Sequence, residues 1–173
     1  MPIPPKINDF NSNIVNSTLT VRPATPDDIP AIFALIVALA EYEHLSHLVM
    51  GTAAQLEKHL FGDRPYLEAI VAELDDRVIG SALFFHNYST FLTQPGLYIE
   101  DLFVLPEFRG RGIGKALLSE VARIARDRGC GRLEWSVLDW NESAIGFYQK
   151  LGADVLPDWR ICRVTGEALD NLG

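Results

Sequence analysis

Tyr98-Ile-Glu-Asp-Leu-Phe-Val-Leu-Pro-Glu-Phe-Arg-Gly-Arg-Gly-Ile-Gly-Lys-Ala-Leu-Leu118 is the stretch on which the fold turns. Its first half is apolar and β-prone as far as Leu105, and Pro106 ends the strand. Glycines follow at 110, 112 and 114. From Gly112 to Arg128, Ile113, Leu117, Val121, Ile124 and Ala125 recur at helical spacing. The order is strand, turn, glycine cluster, helix. Glycines at a helix N-terminus leave backbone N–H groups uncovered at the positive pole of the dipole, which is where a phosphate group binds. Arg109, Arg111 and Lys115 add positive charge.

Two common phosphate loops fail on required residues. A Walker loop needs a glycine five residues before its Gly-Lys-Ser/Thr, but Arg109 stands there, and Ala116 replaces the metal-binding hydroxyl. A dinucleotide fingerprint begun at Gly110 needs a third glycine where Lys115 stands; begun at Gly112, it needs one where Leu117 stands. What remains is R-x-x-G-x-G, from Arg109 to Gly114.

Outward from this stretch, the chain alternates strands and helices. Leu19 to Arg22 reads as a strand closed by Pro23. Asp27 or Asp28 caps a helix running to about Tyr42, with Pro30 in its first turn and Ile32, Leu35, Ile36 and Leu39 as its buried stripe. A short helix fits Thr52 to Leu60. Strands Leu67–Leu74 and Val78–Phe85 flank an Asp75-Asp76 turn, and Leu97–Leu105 is the next strand. After the glycine-led helix come a strand at Leu133–Leu138, a helix at Glu142–Leu151 and a last strand near Arg160–Val164. This order predicts an α/β fold, a mixed twisted sheet flanked by helices in a single domain. Residues 1–18 lack an apolar core and read as a flexible lead-in to a domain over 19–173, with no signal peptide.

Composition narrows the function. The 173 residues carry 23 acidic against 15 basic side chains, a formal net charge of −8, which disfavours nucleic acid and anionic membranes and attracts cations. Cys130 and Cys162 form no CxxC pair, so reduced thiols in a cytoplasmic protein are expected. His44, His47, His59 and His86 show no ligand spacing beyond a loose H-x-x-H, and no metal is expected. Cys162 reads as a buried strand cysteine, and Trp135, Trp140 and Trp159 as core or interface residues.

Strand, R-x-x-G-x-G and helix together resemble the pyrophosphate loop of the GNAT acetyltransferases. The resemblance runs from about Leu19 to Leu169. Tyr98–Val104, Arg109–Gly114 and Asp139-Trp-Asn-Glu-Ser-Ala-Ile-Gly-Phe-Tyr148 occur in that family's order and spacing. Arg22-Pro-Ala-Thr and Leu39-Ala-Glu-Tyr-Glu43 resemble the diamine (spermidine/spermine or thialysine) subgroup. The resemblance implies acetyl-CoA as cosubstrate. Leu102, Phe103 and Val104 match residues that bond the pantetheine arm through their backbone. Arg109, Gly110, Arg111, Gly112, Ile113, Gly114 and Lys115 match the pyrophosphate loop, and Asn141, Glu142, Ser143 and Ala144 a further coenzyme contact. Tyr148 matches the tyrosine that meets the coenzyme and protonates its leaving thiolate. Tyr42 and Glu43 match the amine-binding end. A homodimer is implied as well. Phe91 stands where the animal polyamine enzymes have a tryptophan, and Glu73–Val78 is a short turn where a longer loop can occur.

Amine acetylation needs a proton removed from an ammonium whose pKa is about 10, a polarised thioester and a proton for the departing thiolate. Strict alternation along the strand puts Leu97, Ile99, Asp101 and Phe103 on one face and Tyr98, Glu100, Leu102 and Val104 on the other. A carboxylate in so apolar a strand is costly without a partner or a task, which singles out Glu100. By resemblance Glu100 is the base, acting through water, and also binds the amine. Asp101, facing the other way, is assigned a structural or orienting role. The expected reaction is direct acetyl transfer to a small-molecule primary amine. Two alternatives stand beside it: an amino acid or a protein or peptide amine as acceptor, and a CoA-binding regulatory module without turnover.

Overall fold

The computed structural model describes residues 18–173; the expected lead-in lies almost wholly outside them. They divide into two compact units, one ending at Trp135 and one spanning Ser136–Gly173. In the first, strands β1 (Leu19–Pro23), β2 (Glu68–Leu74), β3 (Arg77–Ser89), β4 (Gln94–Val104) and β5 (Leu133–Trp135) form one sheet in sequence order. The first four are antiparallel neighbours, and β5 joins β4 in parallel. The sheet is therefore mixed, as expected.

Local chemistry explains the connections. Asp75 and Asp76 both take positive φ, 50° and 61°, the twist a two-residue hairpin needs. The parallel β4–β5 step needs a crossover, supplied by helix α3 (Ile113–Asp127). Helix α1 (Ile29–Tyr42) starts at Asp28, with Pro30 in its first turn; α2 (Ala53–Phe61) starts at Thr52, whose hydroxyl accepts the Gln55 N–H at 3.2 Å.

The helices cover opposite faces of the sheet. Leu83 packs with Ile32 and Val71 in a cluster under α1 and α2. Gly80, three residues earlier on the same strand, turns the other way, and a Cβ there would lie 3.4 Å from Leu117 of α3. Ile113, Leu117, Val121 and Ala125 are buried on α3, as their spacing predicts.

The second unit departs from expectation. It contains α4 (Glu142–Lys150) and the four-residue α5 (Glu167–Asp170). β5 ends at Trp135 rather than Leu138, and Arg160–Val164 is not a strand: this segment pairs with no other among the described residues. Cys162 is accordingly exposed, not a buried strand cysteine, and Trp140 and Trp159 are 48% and 75% exposed rather than core. Alternation without a paired neighbour or a covering helix does not make a stable strand.

Candidate active site

Alternation fails at Glu100, and the site is built on that failure. Leu83 and Phe84 are consecutive on β3, yet they pair with Asp101 and Ile99 on β4. Glu100 is the extra residue of a β-bulge. Leu83 and Phe84 face opposite sides, so Ile99 and Asp101 do as well. Asp101 joins the α1 side with Leu83, while Leu97 and Ile99 face α3. The expectation that Asp101 shares a face with Ile99 and turns away from Glu100 is therefore corrected.

Both carboxylates line one cavity of about 580 Å³, with Glu43 from the end of α1. That volume suits a small molecule. Its remaining walls are largely apolar, among them Phe33, Ile36 and Leu39 of α1, and Leu48, Val49 and Met50 of the following loop; His59 adds an imidazole. Ile36 and Leu39, expected as buried stripe, are half-buried because they face this space. Burial, then the charges of Glu100 and Glu43, push the Asp101 carboxyl up to about 6. Burial also raises Glu43. Glu100, singled out as a costly buried carboxylate, is exposed; Asp101 bears the burial. Tyr42 is not a cavity wall: its ring lies against Arg109 and Phe103.

The β4–β5 ladder covers three residue pairs and stops at Ile99 and Trp135. Beyond it, Leu102, Phe103 and Val104 pair with β3 on one side and with no strand on the other, among the described residues. Pro106–Phe108 then makes a short 3-10 turn. Gly110 and Gly112 take φ of 75° and 80°, and a Cβ at either would meet nothing, so backbone conformation is what asks for glycine. No side chain caps α3 at Gly112, and the first intrahelical donor is Ala116, bonding the Gly112 carbonyl. The N–H groups of Ile113, Gly114 and Lys115 are thus orphan donors at the positive end of a fifteen-residue helix. Arg111 reaches the Glu107 carbonyl at 3.3 Å and lies over Phe108. Arg109 turns toward the strand: its Nε donates to the Val104 carbonyl at 2.9 Å.

Asn141, Glu142, Ser143, Ala144 and Tyr148 lie in the second unit, on α4 and its cap. The Asn141 side chain accepts the Ala144 N–H at 3.2 Å, and Tyr148 is half-buried with its ring 5.2 Å from that of Phe147. Among the described residues no group of three or more His, Cys, Asp or Glu side chains is arranged to hold a metal ion.

The first unit thus holds a carboxylate-bearing cavity bounded by the β4 bulge, a sheet edge left open beyond Ile99 and, separately, a helix N-terminus without a side-chain cap. The acetyltransferase (GNAT) family matches residues 36–153. L-ornithine N5-acetyltransferase NATA1 of Arabidopsis thaliana is 37% identical, over 88% of this chain and 86% of its own. Thialysine N-epsilon-acetyltransferase of Bos taurus is 38% identical, over 88% of this chain and 95% of its own. Among solved structures, an integron cassette protein from V. cholerae superposes with a TM-score of 0.75 at 25% identity, covering 89% of this chain and 96% of that one. A family match over most of the chain, close relatives along nearly all of it and a shared fold lead to one conclusion: the chain belongs to the GNAT family of N-acetyltransferases.

Proposed function

We propose that this enzyme moves the acetyl group of acetyl-CoA directly to a primary amine of a small cationic molecule, a diamine, a polyamine or a thialysine-like amine. The observation that carries the reading is the convergence of Glu43, Glu100 and Asp101 on one otherwise largely apolar cavity. Clustered carboxylates hold an ammonium group, and apolar walls accept the methylenes that carry it. Relatives named for ornithine and thialysine acetylation support a terminal amine on an alkyl chain.

Acetyl-CoA supplies the activated acetyl thioester. The residues present fit it. The edge of Leu102–Val104, where the Val104 carbonyl already accepts from Arg109, leaves further backbone donors and acceptors for an extended arm, and the orphan amides of Ile113–Lys115, with Arg111 and Lys115 nearby in sequence, suit a pyrophosphate. Asp101 and Glu43 anchor the acceptor's charge. Glu100, exposed at the bulge, takes the ammonium proton through water, leaving the nitrogen lone pair free to attack. Tyr148 gives a proton to the departing sulfur as the C–S bond breaks. The same reading takes the molecule as cytoplasmic and as a homodimer; the exposed apolar side chains of Trp159, Ile161 and Leu172 support the dimer.

The test is thiol release from acetyl-CoA against spermidine, 1,4-diaminobutane, thialysine, ornithine, lysine, a small neutral amino acid and a peptide amine. Release with the diamines or with thialysine and ornithine is expected. Release with the peptide or the neutral amino acid alone would replace the acceptor class, and silence throughout would leave a CoA-binding module.

A further inference from the structure

Arg109 opens the glycine-loop motif, where its charge reads as a phosphate ligand. Its contacts point elsewhere. The guanidinium carbon lies 4.5 Å from the centre of the Tyr42 ring and 5.0 Å from that of Phe103, and the two rings are 6.4 Å apart. Its Nε is committed to the Val104 carbonyl at 2.9 Å. Tyr42 is the last residue of α1, and Glu43 is its cap. Phe103 and Val104 close β4, two and three residues past Asp101. One planar cation thus joins the end of the acceptor-side helix, the end of the bulged strand and the start of the coenzyme loop.

Resting on the function proposed above, we infer that Arg109 is a positioning residue for the acceptor. It fixes the end of α1, and with it Glu43, relative to Asp101, although it sits in the coenzyme loop and lines no part of the cavity. The device needs a flat guanidinium. Lying over two rings tilted 54° to each other while its Nε donates to a carbonyl is something the broad guanidinium does and the compact ammonium of lysine does not. Arg109→Lys keeps the charge a phosphate would require and removes the brace.

This separates the two roles. Steady-state constants for thialysine and for acetyl-CoA are measured in Arg109→Lys, Tyr42→Leu and the double variant, beside urea unfolding of all four proteins. Arg109→Lys should raise the thialysine KM roughly fivefold, the ratio that a contact worth about 1 kcal/mol gives, while the acetyl-CoA KM stays within about twofold. Tyr42→Leu should raise it likewise, and the double variant should be little worse than the harsher single one, in KM and in urea midpoint. A rise confined to the acetyl-CoA KM would make Arg109 a phosphate ligand and overturn the inference, and so would additive effects in the cycle. A wild-type enzyme silent with thialysine counts against the acceptor assignment alone. The unfolding cycle then decides the brace, additivity refuting it.

Discussion

Asp101 is the side chain whose surroundings most oppose its charge. Burial comes first, then Glu100 and Glu43, and together they move it from an ordinary 3.8 to about 6. The sign follows from linkage. The folded state binds this proton more tightly than the unfolded chain, so the stabilising contribution is full below about pH 4 and is lost as pH rises through 6. Asp101→Asn should remove that loss. Its unfolding midpoint, followed from pH 4 to 8, should fall less with pH than that of the wild type, and parallel curves would contradict the assignment. On the function proposed above, ionisation above about pH 6 creates the anion that holds the acceptor, so the acceptor KM should drop between pH 5 and 7 in the wild type and much less in Asp101→Asn. Glu100→Gln should instead lower kcat on the order of a hundredfold, the share of a general base, with the acetyl-CoA KM unchanged. Undiminished kcat would remove Glu100 from the mechanism. Tyr148→Phe should slow transfer by a similar order without lowering the unfolding midpoint, and an unchanged rate from pH 6 to 9 would deny it the proton-donor role.

Strand β3 carries a glycine between two packed neighbours. A Cβ on Gly80 would come within 2.8 Å of the Phe103 carbonyl oxygen and 3.1 Å of Val104. A backbone oxygen cannot swing aside, so Gly80→Ala must push β3 from β4 at Phe103 and Val104, where the proposed coenzyme edge ends. A cost of about 1–3 kcal/mol is expected from overpacking, read as a lower urea midpoint, with acetyl-CoA affinity reduced alongside. Another constraint ties β1, α1 and β2. Arg22 donates to both oxygens of Asp28, at 2.7 and 2.9 Å, and also to Glu73. Chiefly through the Arg22 hydrogen bonds, with backbone and hydroxyl donation from Thr25, the Asp28 carboxyl is held at about 2. A depressed carboxylate stabilises above its ordinary value and ceases to as pH falls through the folded one, here from about 4 to 2. Asp28→Asn should weaken the fold by about 2 kcal/mol at neutral pH and blunt its acid sensitivity in that window, measured by urea unfolding at pH 7 and pH 3. The elements themselves were mostly legible. Apolar spacing marked α1 and α3, and Asp75-Asp76 marked the β2–β3 hairpin, because those signals are local; the β3–β4 hairpin, whose strands run to Ser89 and from Gln94 rather than to Phe85 and from Leu97, was not marked. The bulge was not. Nothing in Ile99-Glu100-Asp101 announces it; the offset arises from pairing with Leu83 and Phe84, a contact between distant segments. Two adjacent acids in an apolar strand were the nearest hint, since strict alternation would bury one of them.

At the scale of the whole molecule, the shape of the glycine loop could be read from sequence because its left-handed turns and uncapped helix start need glycines at fixed spacing. The cavity was read only at Glu43 and Glu100, and through a resemblance; its apolar walls come from α1, the following loop and α2, which no short motif joins. The last strand near Arg160–Val164 was over-read for the same reason: a run of suitable residues does not supply its own neighbour. Charge, by contrast, is legible without a fold. A net charge of −8 surrounds a cavity that gathers three carboxylates. Such a field concentrates cations and raises their encounter rate, and salt weakens it as the screening length shrinks from about 30 Å at 10 mM to about 10 Å at 0.1 M. The attraction scales with the acceptor's charge. At saturating acetyl-CoA, raising salt across that range should lower kcat/KM for 1,4-diaminobutane several-fold and for a monoamine of equal length clearly less. Saturation removes the opposing effect of salt on the anionic coenzyme, and taking the ratio of the two amines cancels any general effect on turnover. Equal salt dependence for both would mean that the acidic surface serves solubility, and that local contacts with Glu43 and Asp101 alone select the acceptor.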